Sequence, residues 1–146
     1  MTNPNIDMDQ YPDSYIHNIL ESMPVIALVG ASQNPVRPSH SVMRFLQDRN
    51  YRVIPVNPGL AGGELLGEKV YASLKDIPDA IDMVDIFRNS DAAVAITEDA
   101  ISIGAEVVWM QQKVINKKAA KAALKAGLKV VMNRCPAIEI KRLNIN

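Results

Sequence analysis

Short, β-branched apolar runs alternate along this chain with longer stretches in which apolar residues recur at helical spacing. The apolar runs are Val25 to Val29, Arg52 to Val56, Met83 to Phe87, Glu106 to Met110 and Leu128 to Asn133, each the length of a strand buried on both faces. The helical period predicts helices over Tyr11 to Ser22, Ser39 to Arg49, Ser90 to Ile103, Asn116 to Ala126 and Ala137 to Leu143, with Pro12 in the first turn of the leading one. Gly104 and Gly127 fall where a left-handed C-terminal cap is expected. Between the second and third strands, Gly59 to Glu68 carries four of the seven glycines and reads as the flexible connection of the chain body. Lys69 to Tyr71 follows as a brief extended segment, then Ser73 to Pro78 as a single helical turn stopped by proline, in place of a full crossover helix.

Strands alternating with helices predict an α/β fold: a Rossmann-like, doubly wound, mostly parallel five-stranded sheet with helices on both faces. At 146 residues the chain reads as one domain spanning residues 1–146, with the first ten or so residues flexible. Lys+Arg and Asp+Glu are both 16, so no overall charge draws the protein to nucleic acid or to an anionic membrane. One cysteine, Cys135, excludes an internal disulfide framework and a multi-thiolate zinc site, and two histidines make a His-based metal site a poor reading. The acidic start MTNPNIDMDQYPD has neither the basic nor the apolar region of a signal peptide, and no apolar run nears the roughly 20 residues a membrane span needs. A cytoplasmic protein is expected. The apolar fraction and an edge strand allow a monomer or a weak homodimer.

In such a sheet, ligands bind beyond the carboxyl ends of the strands where the winding reverses. The residues that follow the strands are Gly30-Ala31-Ser32, Asn57-Pro58, Phe87-Arg88, Gln111-Gln112 and Arg134-Cys135, and all five groups are expected on one edge. Gly30 permits a tight turn and close backbone approach, Ser32 offers a hydroxyl, and the helix beginning near Ser39 directs its free N–H groups at an anion. Arg37 adds a planar donor suited to phosphate, on a loop that Pro35 and Pro38 are expected to hold extended. The GxGxxG pattern is absent, and Asn57 stands where an NAD enzyme presents an acid for the ribose diol. No GK[ST] follows a strand, so a Walker A loop is absent as well. Trp109 reads as core. Cys135 reads as a small buried hydrophobe with a thiol role left open, and Lys117, Lys118, Lys121 and Lys125 as the solvated face of a helix whose inner stripe is Ala119, Ala120, Ala123 and Leu124.

These segments occur in a recognisable order: the turn Val29-Gly30-Ala31-Ser32, the loop Pro35-Val36-Arg37, Tyr51 to Pro58, Val84 to Arg88, Val107 to Gln111, and Asn133-Arg134-Cys135-Pro136. Over roughly residues 14 to 143 the chain resembles the small stand-alone CoA-binding proteins, which are similar to the CoA-binding Rossmann domain of the succinyl-CoA synthetase α subunit. The resemblance implies a small-molecule ligand, coenzyme A or an acyl-CoA. Gly30, Ala31 and Ser32 would approach its pyrophosphate or pantetheine, with Arg37 as a phosphate partner and Ser39 beside them. Asn57 and Pro58 would line the adenosine side, Phe87 and Arg88 would contact the ligand after the third strand, and Gln111 would face the pantetheine path. The phosphorylated histidine used by the synthetase has no counterpart in this sequence, so the resemblance implies binding without catalytic machinery. Two other readings stand beside it: a CoA-dependent transferase or thiol-exchange enzyme using Cys135, its thiol activated by Arg134, and a regulator that senses NAD or another adenylate.

Overall fold

The computed structural model describes residues 11–145. The flexible start expected for the first ten residues lies outside the described residues. Its elements are α1 (Asp13–Ser22), β1 (Val25–Val29), α2 (Pro38–Asp48), β2 (Arg52–Val56), β3 (Glu64–Leu65), β4 (Glu68–Lys69), β5 (Met83–Ile86), α3 (Ala93–Ser102), β6 (Val107–Met110), α4 (Lys117–Lys125), β7 (Lys129–Val131) and α5 (Pro136–Arg142). The main sheet is parallel in the order β2-β1-β5-β6-β7, so the winding reverses between β1 and β5.

Alternation along the strands sorts the core into two layers. Ile26, Leu28, Met83, Val107 and Trp109 pack under α1, α2 and α5, whereas Ala27, Ile54, Val84, Ile86 and Met110 pack under α3 and α4. Trp109 is fully buried, as expected, and its Nε1 donates to the Arg134 carbonyl at 2.8 Å. The expected inner stripe of α4 is also there: Ala119, Ala120 and Ala123 are buried and the four lysines exposed.

Boundaries moved where hydrogen bonding overrides the apolar pattern. β7 is three residues long, and its outer edge is closed by hydroxyls from the first helical segment. Tyr15 Oη donates to Val130 O and accepts from Val130 N, and Tyr11 Oη accepts from Met132 N at 2.9 Å. Pro12 is the N-cap of α1 and lies just outside its first turn. Residues Ser90–Ala92 form a separate 3-10 turn that leads into α3. Gly104 and Gly127, at φ +79 and +90, end α3 and α4 as expected. Asn50 and Asn144 hold the same left-handed position after α2 and α5.

The glycine-rich connection is a closed hairpin. β3 and β4 pair antiparallel, Gly62 N donates to Val70 O, and Val70 N donates to Gly63 O. Tyr71 then adds a parallel bridge to Val56, which fastens the hairpin to the end of β2. The single turn expected before Pro78 is the 3-10 turn Leu74–Asp76.

Candidate functional site

The site forms where β1 and β5 part. Phe87 N donates to Val29 O at 2.8 Å, which brings the end of β5 across Gly30. A Cβ on Gly30 would lie 2.6 Å from the Phe87 carbonyl oxygen and 3.2 Å from Arg88 Cδ, and φ there is +98. Glycine is therefore required by the strand beside it as well as by the turn. The amides of Gly30 and Ala31 both donate to Val56 O, at 3.0 and 3.3 Å. Ser32 and Gln33 are left as the turn's amides without an acceptor among the described residues.

Asn57 is committed to the protein at both ends. Its Nδ2 donates to Ala31 O at 2.7 Å and its Oδ1 accepts from Gly59 N at 2.8 Å. The side chain latches the loop after β1 to the loop after β2. Ser32 Oγ accepts from Asn34 N, and Pro35 sits in a turn closed by Arg37 N donating to Asn34 O at 3.0 Å. That replaces the extended loop expected from the two prolines, although Arg37 itself is extended before Pro38. Pro38 opens α2 and has no N–H to offer, while no side chain caps the helix, so the first-turn amides that remain are not taken up by a cap.

Two clefts flank Arg88. The first, about 420 Å³, lies over the ends of β1 and β2. Gly30, Asn57 and Pro58 form one side, Ser73 and Leu74 a second, and Ala95, Ile96 and Asp99 of α3 a third. Its rim holds an ion pair, Lys75 Nζ to Asp99 Oδ1 at 3.5 Å. The second cleft, about 610 Å³, lies over the ends of β5 and β6 and is lined by Pro38, Phe87, Ser90, Gln111, Lys113 and Val114 among others. Its rim is held by Ser90 Oγ, which accepts from Ile115 N at 3.0 Å, and by Asn133 Oδ1, which accepts from Lys113 N at 2.7 Å. Arg88 borders both clefts, is exposed, and has no ion pair among the described residues.

Of the residues singled out from the sequence, Gly30, Asn57, Pro58 and Arg88 line the first cleft, and Phe87, Arg88 and Gln111 the second. Ala31 and Ser39 are buried, and Ser32 and Arg37 line neither cleft. The walls given by residues 72–74 and by α3 were missed, because only tertiary folding brings them to the strand ends. Cys135 is buried and lines neither cleft. The Arg134 guanidinium, offered as the activator of that thiol in one alternative reading, meets Glu139 Oε1 at 3.1 Å and lies 5.5 Å from the Tyr11 ring centre.

Four buried side-chain oxygens lack a partner among the described residues, and one of them belongs to a residue that lines the second cleft. Gln111 Oε1 and both carboxyl oxygens of Asp85 have none, and Thr97 Oγ1 on α3 is the remaining case among the described residues. Asp85 follows Met83 by two residues and precedes Phe87 by two, so all three share the sheet face under α1, α2 and α5. Burial alone pushes the Asp85 carboxyl well above the usual carboxylate range.

Comparison with known proteins shows the family and the fold. The model of the CoA binding domain matches residues 24–141. The chain belongs to this CoA-binding domain family. It is 39% identical over 120 residues to protein YneT of Bacillus subtilis (strain 168), a match covering 82% of this chain and 87% of that protein. A solved structure of a protein from Pyrococcus horikoshii OT3 is 43% identical and superimposes with a TM-score of 0.89, over 99% of this chain and 98% of its own. The ADP-forming acetate–CoA ligase of Methanocaldococcus jannaschii is 24% identical over 129 residues, 83% of this chain and 18% of the ligase. The Rossmann-like fold and the family expected from the sequence are thus both found. Among the described residues, no helix is long and apolar enough to cross a membrane.

Proposed function

We propose that this CoA-binding domain protein binds coenzyme A or an acyl-CoA across the carboxyl edge of its sheet, as a binding protein with no catalytic role for its own side chains. The observation that carries the reading is the arrangement of two clefts, about 420 and 610 Å³, on either side of Arg88, a cation with no ion pair among the described residues. Coenzyme A has the matching form: an adenine nucleotide at one end, a long pantetheine arm at the other, and anionic phosphates between them. The apolar first cleft suits the nucleotide base, Arg88 suits the phosphates, and the second cleft suits the arm.

An NAD site is less well supported. Asn57 has both ends of its amide occupied, and Asp99, the acid on the first cleft, is paired with Lys75. Thiol exchange at Cys135 has no support from the geometry, because the thiol is buried away from both clefts. Val36 and Ile138 are the exposed large apolar side chains among the described residues, which suits a monomer or a weak homodimer in the cytoplasm.

Calorimetric titration with coenzyme A, dephospho-CoA and NAD tests the reading. Saturable binding of coenzyme A, tighter than that of dephospho-CoA and NAD, is expected. Binding of NAD alone would replace it with the adenylate-sensing reading.

A further inference from the structure

α3 and α4 lie side by side on one face of the parallel sheet, run in the same direction, and are level at both ends. Their starts are tied by Ser90, whose Oγ accepts from Ile115 N at 3.0 Å and whose carbonyl accepts from Asn116 Nδ2 at 2.9 Å. Their ends, Gly104 and Gly127, line one shared hollow. The outer surfaces of the two helices are opposite in charge. Every charged residue between Glu106 and Glu139 is a lysine or an arginine, and Lys117, Lys118, Lys121 and Lys125 stand exposed on α4. Asp91, on the turn that leads into α3, and Glu98, on α3 itself, are exposed acids. None of these six residues has an ion pair among the described residues. The lysines also work against the helix that carries them. Lys117 and Lys118 occupy its first turn, where the helix dipole favours an acid, and Lys117, Lys121 and Lys125 repeat like charge at four-residue spacing. A placement that opposes local stability points to a use on the surface.

We propose that this face joins two copies of the chain, each laying its acidic α3 on the basic α4 of the other about a two-fold axis along the groove between the helices. That axis keeps the facing helices parallel, so residues at equal height meet. Asp91 adjoins Ser90 and Lys117 adjoins Asn116, the bonded pair that levels the two starts, so Asp91 faces Lys117 and Lys118 of the other copy. Glu98 lies about 10 Å further along, level with Lys121 and Lys125, which stand about 6 and 12 Å beyond Lys117. A two-fold axis across the helices would set α3 on α3 and α4 on α4, like charge on like, and is repulsive. Ala95, Ser102 and Ala122 keep the face low between the charges. Two helices of this length present about 300 Å² in projection, less than the roughly 800 Å² per partner of a stable interface, so the association is weak and held by charge. A second copy suits the face better than a polyanion does. The chain as a whole is neutral, so nucleic acid or an anionic bilayer gains no overall attraction, and the exposed large apolar side chains among the described residues, Val36 and Ile138, stand on other elements.

Sedimentation velocity over a concentration series, at low salt and in about 1 M salt, tests the interface. Wild type dimerises at low salt, and its dimer Kd rises at least about tenfold at high salt, where the Debye length is about 3 Å. Lys117→Glu/Lys121→Glu/Lys125→Glu turns α4 acidic beside an acidic α3, and Asp91→Lys/Glu98→Lys turns α3 basic beside a basic α4. Each variant alone stays monomeric at low salt, and an equimolar mixture of the two restores the dimer, because each then meets its opposite. All five positions are exposed, and circular dichroism with Tm confirms that both variants fold. Should either fail to fold, Lys121→Gln/Lys125→Gln takes its place and raises the dimer Kd at low salt. A wild type that is monomeric at every concentration overturns the proposal, as does a dimer that persists in both charge-reversed variants. A mixture of folded variants that stays monomeric overturns it too. A monomeric wild type that a heparin column retains through the α4 lysines gives the face to a polyanion instead.

Discussion

The loops after β1 and β2 end the same sheet at the same edge as those after β5 and β6, yet they use their polar groups in opposite ways. On the first side, the amides of Gly30 and Ala31 share the Val56 carbonyl, and Asn57 is bonded at both ends of its side chain. On the second, Gln111 Oε1 is buried with nothing to bond, and Arg88 stands between the two sides without a counter-charge among the described residues. Satisfied groups hold a backbone in place; unsatisfied ones carry a cost that a bound molecule can relieve. The polar groups of the first side accordingly hold the walls of the first cleft in place, although in the sequence they look most like a ligand turn. The second side is where polar recognition of the ligand is expected.

Gly30→Ala gives the largest effect and tests the scaffold side. The new methyl would meet the Phe87 carbonyl, a backbone atom that cannot swing aside, and φ at this position is +98. Left-handed strain and overpacking together should lower stability by about 2–5 kcal/mol, read from urea unfolding. A variant of wild-type stability would show that β1 and β5 are not locked together here.

Asp85, buried within the central strand β5, gives the next effect. Its folded pKa is raised by burial, so between the unfolded value near 3.9 and the raised folded value the native state holds a proton that the unfolded chain has released. Stability from this group therefore falls as pH rises above about 4, by up to about 1.4 kcal/mol per pH unit until the folded carboxyl ionises. Asp85→Asn removes that slope, so its stability relative to wild type should climb from pH 4 to pH 8. A difference that stays flat across that range would mean that Asp85 finds a partner in solution.

Much of this architecture was legible from patterns that are local in the chain. The strands Val25–Val29 and Arg52–Val56 were placed to the residue, because continuous β-branched runs leave no competing period. Gly104 and Gly127 marked helix ends because a left-handed residue is needed there, while Asn50 and Asn144 do the same work under a commoner residue type and gave no signal. The hairpin Glu64–Lys69 was hidden because its glycines read as looseness, whereas they sit in turns fastened by Val70 and Tyr71. In the site, strand-end positions singled out Arg88 and Gln111, and both line the second cleft. What sequence could not give was which polar groups would find partners, since Asn57 meets Ala31 and Gly59 only after the loops close, and Gln111 Oε1 finds none among the described residues.

Asn57→Ala cuts the latch between the two scaffold loops. Two hydrogen bonds are lost at a partly buried position, for an expected loss of about 1–3 kcal/mol in unfolding free energy. Asn57→Asp keeps the acceptor for Gly59 N but sets a carboxylate against the Ala31 carbonyl, so it should recover little of that loss. If Asn57→Ala weakened ligand binding severely while stability held, Asn57 would contact the ligand directly and belong to the recognition side.

The smallest effects separate the two arginines. Arg37 and Arg88 are both exposed and both without an ion pair among the described residues, and sequence reasoning set both against the ligand. Their positions differ: Arg88 stands between the clefts with its stem across Gly30, whereas Arg37 lies on the loop before α2 and lines neither. Arg88→Ala should weaken coenzyme A by about 1–2 kcal/mol, the lower part of the range for a charged hydrogen bond because water competes at an exposed site. Arg37→Ala should change it by less than about 0.5 kcal/mol, a long-range contribution that vanishes once added salt shortens the Debye length below the distance from the loop to the phosphates. Calorimetric titration of both variants at low and high salt reads the difference directly. If the two losses are equal at both salt concentrations, the phosphates lie over the loop before α2 and are held from the scaffold side, and the division between a satisfied half and a recognising half of the edge is wrong.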